Sequence, residues 1–240
     1  MNYARRSRVY LLCCLLLAAV ACGGSRPNEG NSSNAPNAPG SSAPANPVTA
    51  GANPRAELTR AMGAQLSAKS YRAQMVTTSS SGMNGTTTVE FVAPDRFHMT
   101  QNTEMPGRGG GKREIIIVGK DTWMKAGDAQ WQKFPVDIGG IVAQFRDPKV
   151  LEELSQSAEI KYLGPDTIDG APALVYQYTL NDMMGKGSKS NAKTWLGATD
   201  SLPRRTESEA EFDFMGKPLK TKTTITYTDY NADIRIAPPM

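Results

Sequence analysis

From about residue 70 onward the chain alternates apolar and polar residues with a period of two, in short runs separated by turn signals. "YRAQMVTTS" and "TTTVEFVA" flank a turn holding Asn84-Gly85, a strong hairpin dipeptide. "RFHMTQ" follows Pro94-Asp95, and "REIIIVG", "TWMKAG" and "QWQKFP" succeed one another across Gly-Lys-Asp and Gly-Asp-Ala turns. Parallel pairing needs crossovers of a dozen residues or more, and these gaps are too short for them. The pattern therefore predicts an antiparallel meander. Later runs continue it: "EIKYLG", then "ALVYQYTL" after Asp169-Gly170, then "AKTWLGA", "PRRTESEAEF" and "LKTKTTITYTDY". The last two are polar at most positions, as strands with one solvated face are.

Helical periodicity occurs in two places. Asn53 and Pro54 form a helix start, and Leu58, Ala61, Met62 and Leu66 make a stripe running to about Ala68. "VDIGGIVAQF" and "DPKVLEELSQSA" interrupt the strands, and the second is helical by pattern, with Asp147 as cap and Pro148 in its first turn. The fold class expected is α+β, with helices set against one antiparallel sheet.

The N-terminus reads differently. Arg5, Arg6 and Arg8 precede an uncharged core of 13 residues, Val9 to Ala21, too short to span a bilayer comfortably. "AVAC" resembles the bacterial lipobox, although Ala19 stands where leucine is usual. Residues 1–21 are thus expected to be a lipoprotein signal peptide and Cys22 the lipid-attachment site. An ordinary secretory signal cleaved nearby is the alternative. Cys13 and Cys14 would leave with the signal, so Cys22 would be the lone thiol and no internal disulfide could form. Acylation would anchor the chain at about 0.8 kcal/mol per buried methylene.

Removing Arg5, Arg6 and Arg8 leaves 24 basic against 23 acidic residues, so the net charge falls from +4 to +1. That balance gives no argument for a nucleic-acid partner. After Cys22, "GGSRPNEGNSSNAPNAPGSSAPANPVTAGAN" has too little apolar surface to offset its ordering entropy. Residues 22–53 are expected to be the lipidated cysteine and a disordered tether, roughly 30 Å end to end as a coil. Residues 54–240 suit one domain.

No catalytic or metal constellation emerges. "PGRGGGKR" misses the P-loop spacing, since Pro106 falls at the first glycine and Arg113 follows Lys112. Asp229, Asn231 and Asp233 start like a calcium loop, but Ile234 and Met240 stand where Gly and Glu are needed. His98 is the only histidine, and alternation points it away from Phe97 and Met99, toward solvent. The expectation is a protein that is not an enzyme and takes no cofactor.

The order of elements and several local patterns resemble the LolA and LppX/LprG-like superfamily of lipoprotein carriers. They are the helix ending at "KSYRAQ", the corner "VAPDRFHM", the pair of tryptophans in "VGKDTWMKAGDAQWQKF", the restart "TWLGATDSLPRRTE" and the tail "ITYTDYNADIRIAPP". The resemblance covers roughly residues 54–238. It implies a strongly curved antiparallel half-barrel wrapped around a few helices, with an apolar cavity for acyl chains of lipids or lipoproteins. On that reading Leu58, Met62 and Leu66 face the cavity from the helix, and Phe91, Phe97, Met99, Trp123 and Trp131 from the sheet. Ile138, Ile141, Val142, Phe145, Leu151 and Leu154 would face it from a lid whose Gly139-Gly140 permits bending. Plain core packing is the competing fate of each of these residues.

The function implied is a membrane-anchored envelope lipoprotein that binds lipid or a lipidated protein and carries it between membranes. If the host has two membranes, Gly23 after the lipid cysteine fits the outer one. The alternative is a sensory module that docks on a membrane protein through the charged strand from Arg204 to Glu211.

Overall fold

A computed structural model describes residues 50–107, 110–135, 137–140, 152, 155–182, 185–214 and 216–239. Cys22 and the expected signal and tether up to residue 49 lie outside the described residues, as do Ile141, Val142, Phe145, Leu151 and Leu154.

Helix α1, Pro54–Ser67, opens the described chain. The Asn53 side chain caps it by accepting from Ala56 N at 3.1 Å, and Pro54 occupies the first turn. Eleven strands follow: β1 Ser70–Ser79, β2 Asn84–Val92, β3 Arg96–Glu104, β4 Gly111–Val118, β5 Asp121–Ala126, β6 Gln132–Phe134, β7 Glu159–Ile168, β8 Ala171–Asn181, β9 Lys189–Gly197, β10 Pro203–Phe214 and β11 Lys217–Thr228. They form one antiparallel sheet in the order β6-β5-β4-β3-β2-β1-β11-β10-β9-β8-β7. The expected meander is present, joined in the middle by the pairing of β1 with β11.

The sheet is an open half-barrel, because β6 and β7 are adjacent in sequence yet sit at opposite edges. The segment between them therefore passes from one edge to the other. Its described ends are helical at residues 138–140 and 155–157. Gly139 sits against β4, where a Cβ would collide with the Gly119 carbonyl. Asp137 caps this turn by accepting from Gly140 N at 2.6 Å. Close packing therefore accounts for the paired glycines at this end.

Two departures from the sequence reading concern the strands. β7 continues past "EIKYLG" through Gly164 and Pro165 to Ile168, accommodated by a register shift between Tyr162 and Gly164. An edge strand tolerates proline because one row of its amides has no ladder partner to lose. Trp131 falls just before β6, outside the strand expected to hold it.

The two faces bury different sets. Inside, Tyr71, Phe91, Phe97, Met99, Ile115 and Ile117 pack as one core with Leu66 and Ile138 beside them. Tyr71, Phe91 and Phe97 stack along the sheet with centroids 5.0 and 4.9 Å apart. Outside, the tail after β11 lays Ile234 and Ile236 onto Ile116, with Trp123 and Trp131 against them. Arg96 Nη1 donates to the Ile236 carbonyl at 2.8 Å, and Asn231 N donates to the Ser70 carbonyl at 2.8 Å.

Candidate functional site

Helix α1 lies over β7–β11, and its N-terminal half is fastened there. The Glu57 carboxylate is buried and accepts from Gly51 N at 3.0 Å, from Asn53 N at 3.3 Å and from the Tyr176 hydroxyl. Burial pushes this carboxyl up, but the hydrogen bonds from Tyr176, Gly51 and Asn53 outweigh it and hold it below its ordinary range. Arg55 Nη2 donates to the Ala158 carbonyl at 2.9 Å, and the Thr59 and Ser155 hydroxyls bond at 3.1 Å. Leu58 and Ala61 pack on Tyr176 and Leu196.

Beyond that contact the helix and sheet separate around a cavity of about 170 Å³. Leu58, Ala61, Met62 and Gln65 roof it, Ser155 and Ala158 close one side, and Ile160, Tyr178 and Leu180 form the wall from β7 and β8. The floor is Ser190, Ala192, Thr194 and Leu196 of β9, Pro203, Thr206 and Ser208 of β10, and Thr223, Ile225 and Tyr227 of β11. None of these lining residues carries a formal charge at neutral pH. Gln65 hydrogen-bonds Tyr227, and the Thr194 and Thr206 hydroxyls bond each other at 3.0 Å. Burial alone pushes the Tyr178 hydroxyl up to about 12, so it stays a neutral donor.

Volume sets what the space can take. Pockets for drug-sized ligands run from about 300 to 1,000 Å³, while an engineered apolar cavity of about 150 Å³ holds a benzene. The present space fits a short stretch of hydrocarbon. A longer chain requires helix α1 or the side closed by Ser155 and Ala158 to move outward.

Leu58 and Met62, expected to face a cavity, line this one. Leu66 turns to the packed half, and Phe91, Phe97 and Met99 are buried within its core. Trp123 and Trp131 lie on the other face of the sheet. Trp123 is register partner of Ile116, whose neighbours Ile115 and Ile117 point inward, so alternation sends the indole outward. Lys133 covers the Trp123 ring at 5.6 Å and Lys125 the Trp131 ring at 5.1 Å. The floor residues of β9 and β10 were not singled out from sequence. Their signal is a run of short side chains at alternate positions, Ser190, Ala192 and Thr194, then Thr206, Ser208 and Ala210.

The other sequence candidates have structural partners. His98 stands on the outer face, with Nδ1 3.3 Å from Glu90 and Nε2 3.8 Å from Glu114. Arg72 also reaches Glu90, at 2.8 Å, and Asp229, at 3.0 Å. Asn231 accepts from Lys69 N at 2.8 Å, so the calcium-like stretch serves to anchor the tail. On β10, Glu209 pairs with Lys222 at 2.7 Å and Glu211 with Lys220 at 3.4 Å, while Arg204 pairs with Asp200. Much of the charge of that strand is thus neutralised by its own neighbours. Among the described residues no cluster of metal-ligating side chains occurs, and no helix is long and apolar enough to cross a membrane.

No family model matches the sequence, and no curated protein matches it either. Solved structures do match in shape. The crystal structure of Mycobacterium tuberculosis lipoprotein LppX matches with a TM-score of 0.53 at 16% identity, over 76% of this chain and 97% of that one. LprF from Mycobacterium bovis matches with a TM-score of 0.54 at 16% identity, over 77% and 96%. The strand order, the helix laid against the sheet and these matches together give the chain the open half-barrel fold seen in LppX and LprF.

Proposed function

We propose that this chain is a bacterial cell-envelope lipoprotein, acylated on Cys22, whose half-barrel binds a lipid or the acyl chains of a lipidated protein and carries them between membranes. The observation that carries the reading is the cavity between α1 and β7–β11, whose lining among the described residues bears no formal charge. An acyl chain gains about 25 cal/mol for each Å² withdrawn from water, and a lining with no formal charge demands no desolvation of ions to receive it. LppX, which shares the fold, is named as a lipoprotein. The chemistry is non-covalent, and the lining offers hydroxyls that hydrogen-bond an ester or a hydroxyl of the cargo.

The test is native mass spectrometry of the mature chain purified without detergent, followed by organic extraction. The expected result is a stoichiometric adduct that extracts as lipid. A bare mass, unchanged after incubation with phospholipid and with an acylated peptide, would overturn the reading.

A further inference from the structure

Six large apolar side chains stand exposed among the described residues, and Met83, Met105 and Phe214 share one end of the sheet. Met83 is in the β1–β2 turn, Met105 follows β3 and Phe214 ends β10. The registers Asn84↔Glu104, Ser79↔Thr221 and Phe214↔Lys217 place all three turns at that end. The turns also touch. A Cβ on Gly82 would meet the Pro106 ring at 2.6 Å, Ser80 N donates to the Lys220 carbonyl at 2.9 Å, and Lys220 N donates to Ser80 Oγ at 3.1 Å. Four strand spacings separate β3 from β10, so the tips spread over about 19 Å along the arc.

The inner surface and the entry of the chain describe this end further. From it, the inner surface runs through half-buried Ser190, Ala210 and Thr221 to Ala192, Ser208 and Thr223, the last three lining the cavity. Between these short residues and the tip, buried Phe212 and its register partner Leu219 occupy the next inward positions. The chain enters the described structure at residue 50, with Gly51 against Tyr162 of β7 and Arg55 bonded to Ala158 just before that strand. The start of β7 pairs with Thr179, near the same end. Between Cys22 and this point lie 27 residues, Gly23 to position 49, and a flexible chain of that length would reach roughly 30 Å, enough to hold that end at the surface bearing Cys22.

We propose that Met83, Met105 and Phe214 form a wedge that seats this end of the half-barrel in the lipid bilayer. Three separate protrusions suit a bilayer interface, which admits apolar side chains without matching their shape. Lys186, Lys189 and Lys217 stand exposed around them and fit the phosphate layer. Asp182 and Asp213, at the same end, are held back by accepting Gly187 N at 2.6 Å and Gly216 N at 2.7 Å within their own turns.

The proposal rests on the reading of an anchored lipid binder but is tested apart from it. The protein is extracted from membranes and reconstituted in vesicles of phosphatidylethanolamine and phosphatidylglycerol. Single substitutions Met83→Cys, Met105→Cys and Phe214→Cys carry an environment-sensitive fluorophore, and Thr199→Cys in the β9–β10 turn marks the opposite end. The expected result is a blue shift and loss of most emission to a lipid-borne quencher at the three tips, and neither at 199. Equal quenching at 199, no quenching at the tips, or failure of the vesicles to retain the protein would overturn it. Labels shielded in cells yet untouched by the lipid quencher would also overturn it, assigning the end to a protein partner. A lipid adduct in the mass spectrum with unquenched tips leaves the carrier reading standing and removes the wedge. Quenched tips without an adduct do the converse.

Discussion

The two halves of the half-barrel share strand pairing and contact with helix α1, yet one is full and the other hollow. In β1–β4 the inward positions hold Tyr71, Phe91, Phe97, Met99, Ile115 and Ile117, which pack together as one buried cluster. In β9–β11 the corresponding positions hold Ser190, Ala192, Thr206, Ser208 and Thr223, and the helix above bridges a void. Backbone geometry places strands at nearly constant spacing. Side-chain length therefore decides where the interior closes. The lesson is that large apolar residues mark the core of this molecule, and the short residues opposite a helix mark its cavity.

The comparison can be broken most forcefully in the full half. Phe91→Ala should cost about 3–5 kcal/mol, read as a lowered urea midpoint, because its neighbours cannot collapse into the space. A cost near 1 kcal/mol would mean that this half is not tightly packed.

Next in size is the fastening of α1. Glu57→Gln should cost about 1–3 kcal/mol at neutral pH, since it removes a buried acceptor of backbone amides and of the Tyr176 hydroxyl. Because the native carboxyl lies below its ordinary 4.5, its contribution is whole above that pH and fades as pH falls through the native value. Stability curves of parent and variant should therefore converge in acid. Parallel curves down to pH 3 would show that Glu57 gains nothing from its partners.

The hollow half is sharpened by filling it. Ser208→Leu should change stability by only about 1 kcal/mol, since the added carbons enter empty space, and should abolish the lipid adduct. A cost comparable to that of Phe91→Ala would show the floor already occupied.

The smallest effect is expected on the outer face. Lys222→Glu breaks an exposed pair with Glu209 and should cost about 0.2–1 kcal/mol, with cargo binding unchanged. Loss of cargo in this variant, with stability kept, would shift function from the cavity to the charged strand.

Much of the architecture was legible from alternation and turn dipeptides. Asp169-Gly170 and the Gly-Lys-Asp and Gly-Asp-Ala turns delimit strands that the structure contains, whereas Asn84-Gly85 lies inside β2 and the first hairpin turns two residues earlier, at Gly82. The start of α1 was legible because Asn53 and Pro54 act locally, as cap and first turn. The site was legible only in part. Leu58 and Met62 reach the cavity, while Leu66, one turn on, meets the full half, and nothing in helical spacing separates these fates. Trp123 misled because its size invites an interior place, whereas its register with Ile116 and the arrival of Ile234 and Ile236 set it under the tail. That burial depends on a segment more than a hundred residues away.

By itself, the sequence determined the strand list, most of the turns, the helix cap and the polarity of each strand face, since all are decided within a few residues. Only the tertiary structure decided that β1 pairs with β11, that β6 and β7 become opposite edges, and that the space beneath Met62 stays empty. Those outcomes depend on which side chains from distant strands come face to face. Whether such side chains fill a space or leave it open is a matter of volume, which no local pattern records.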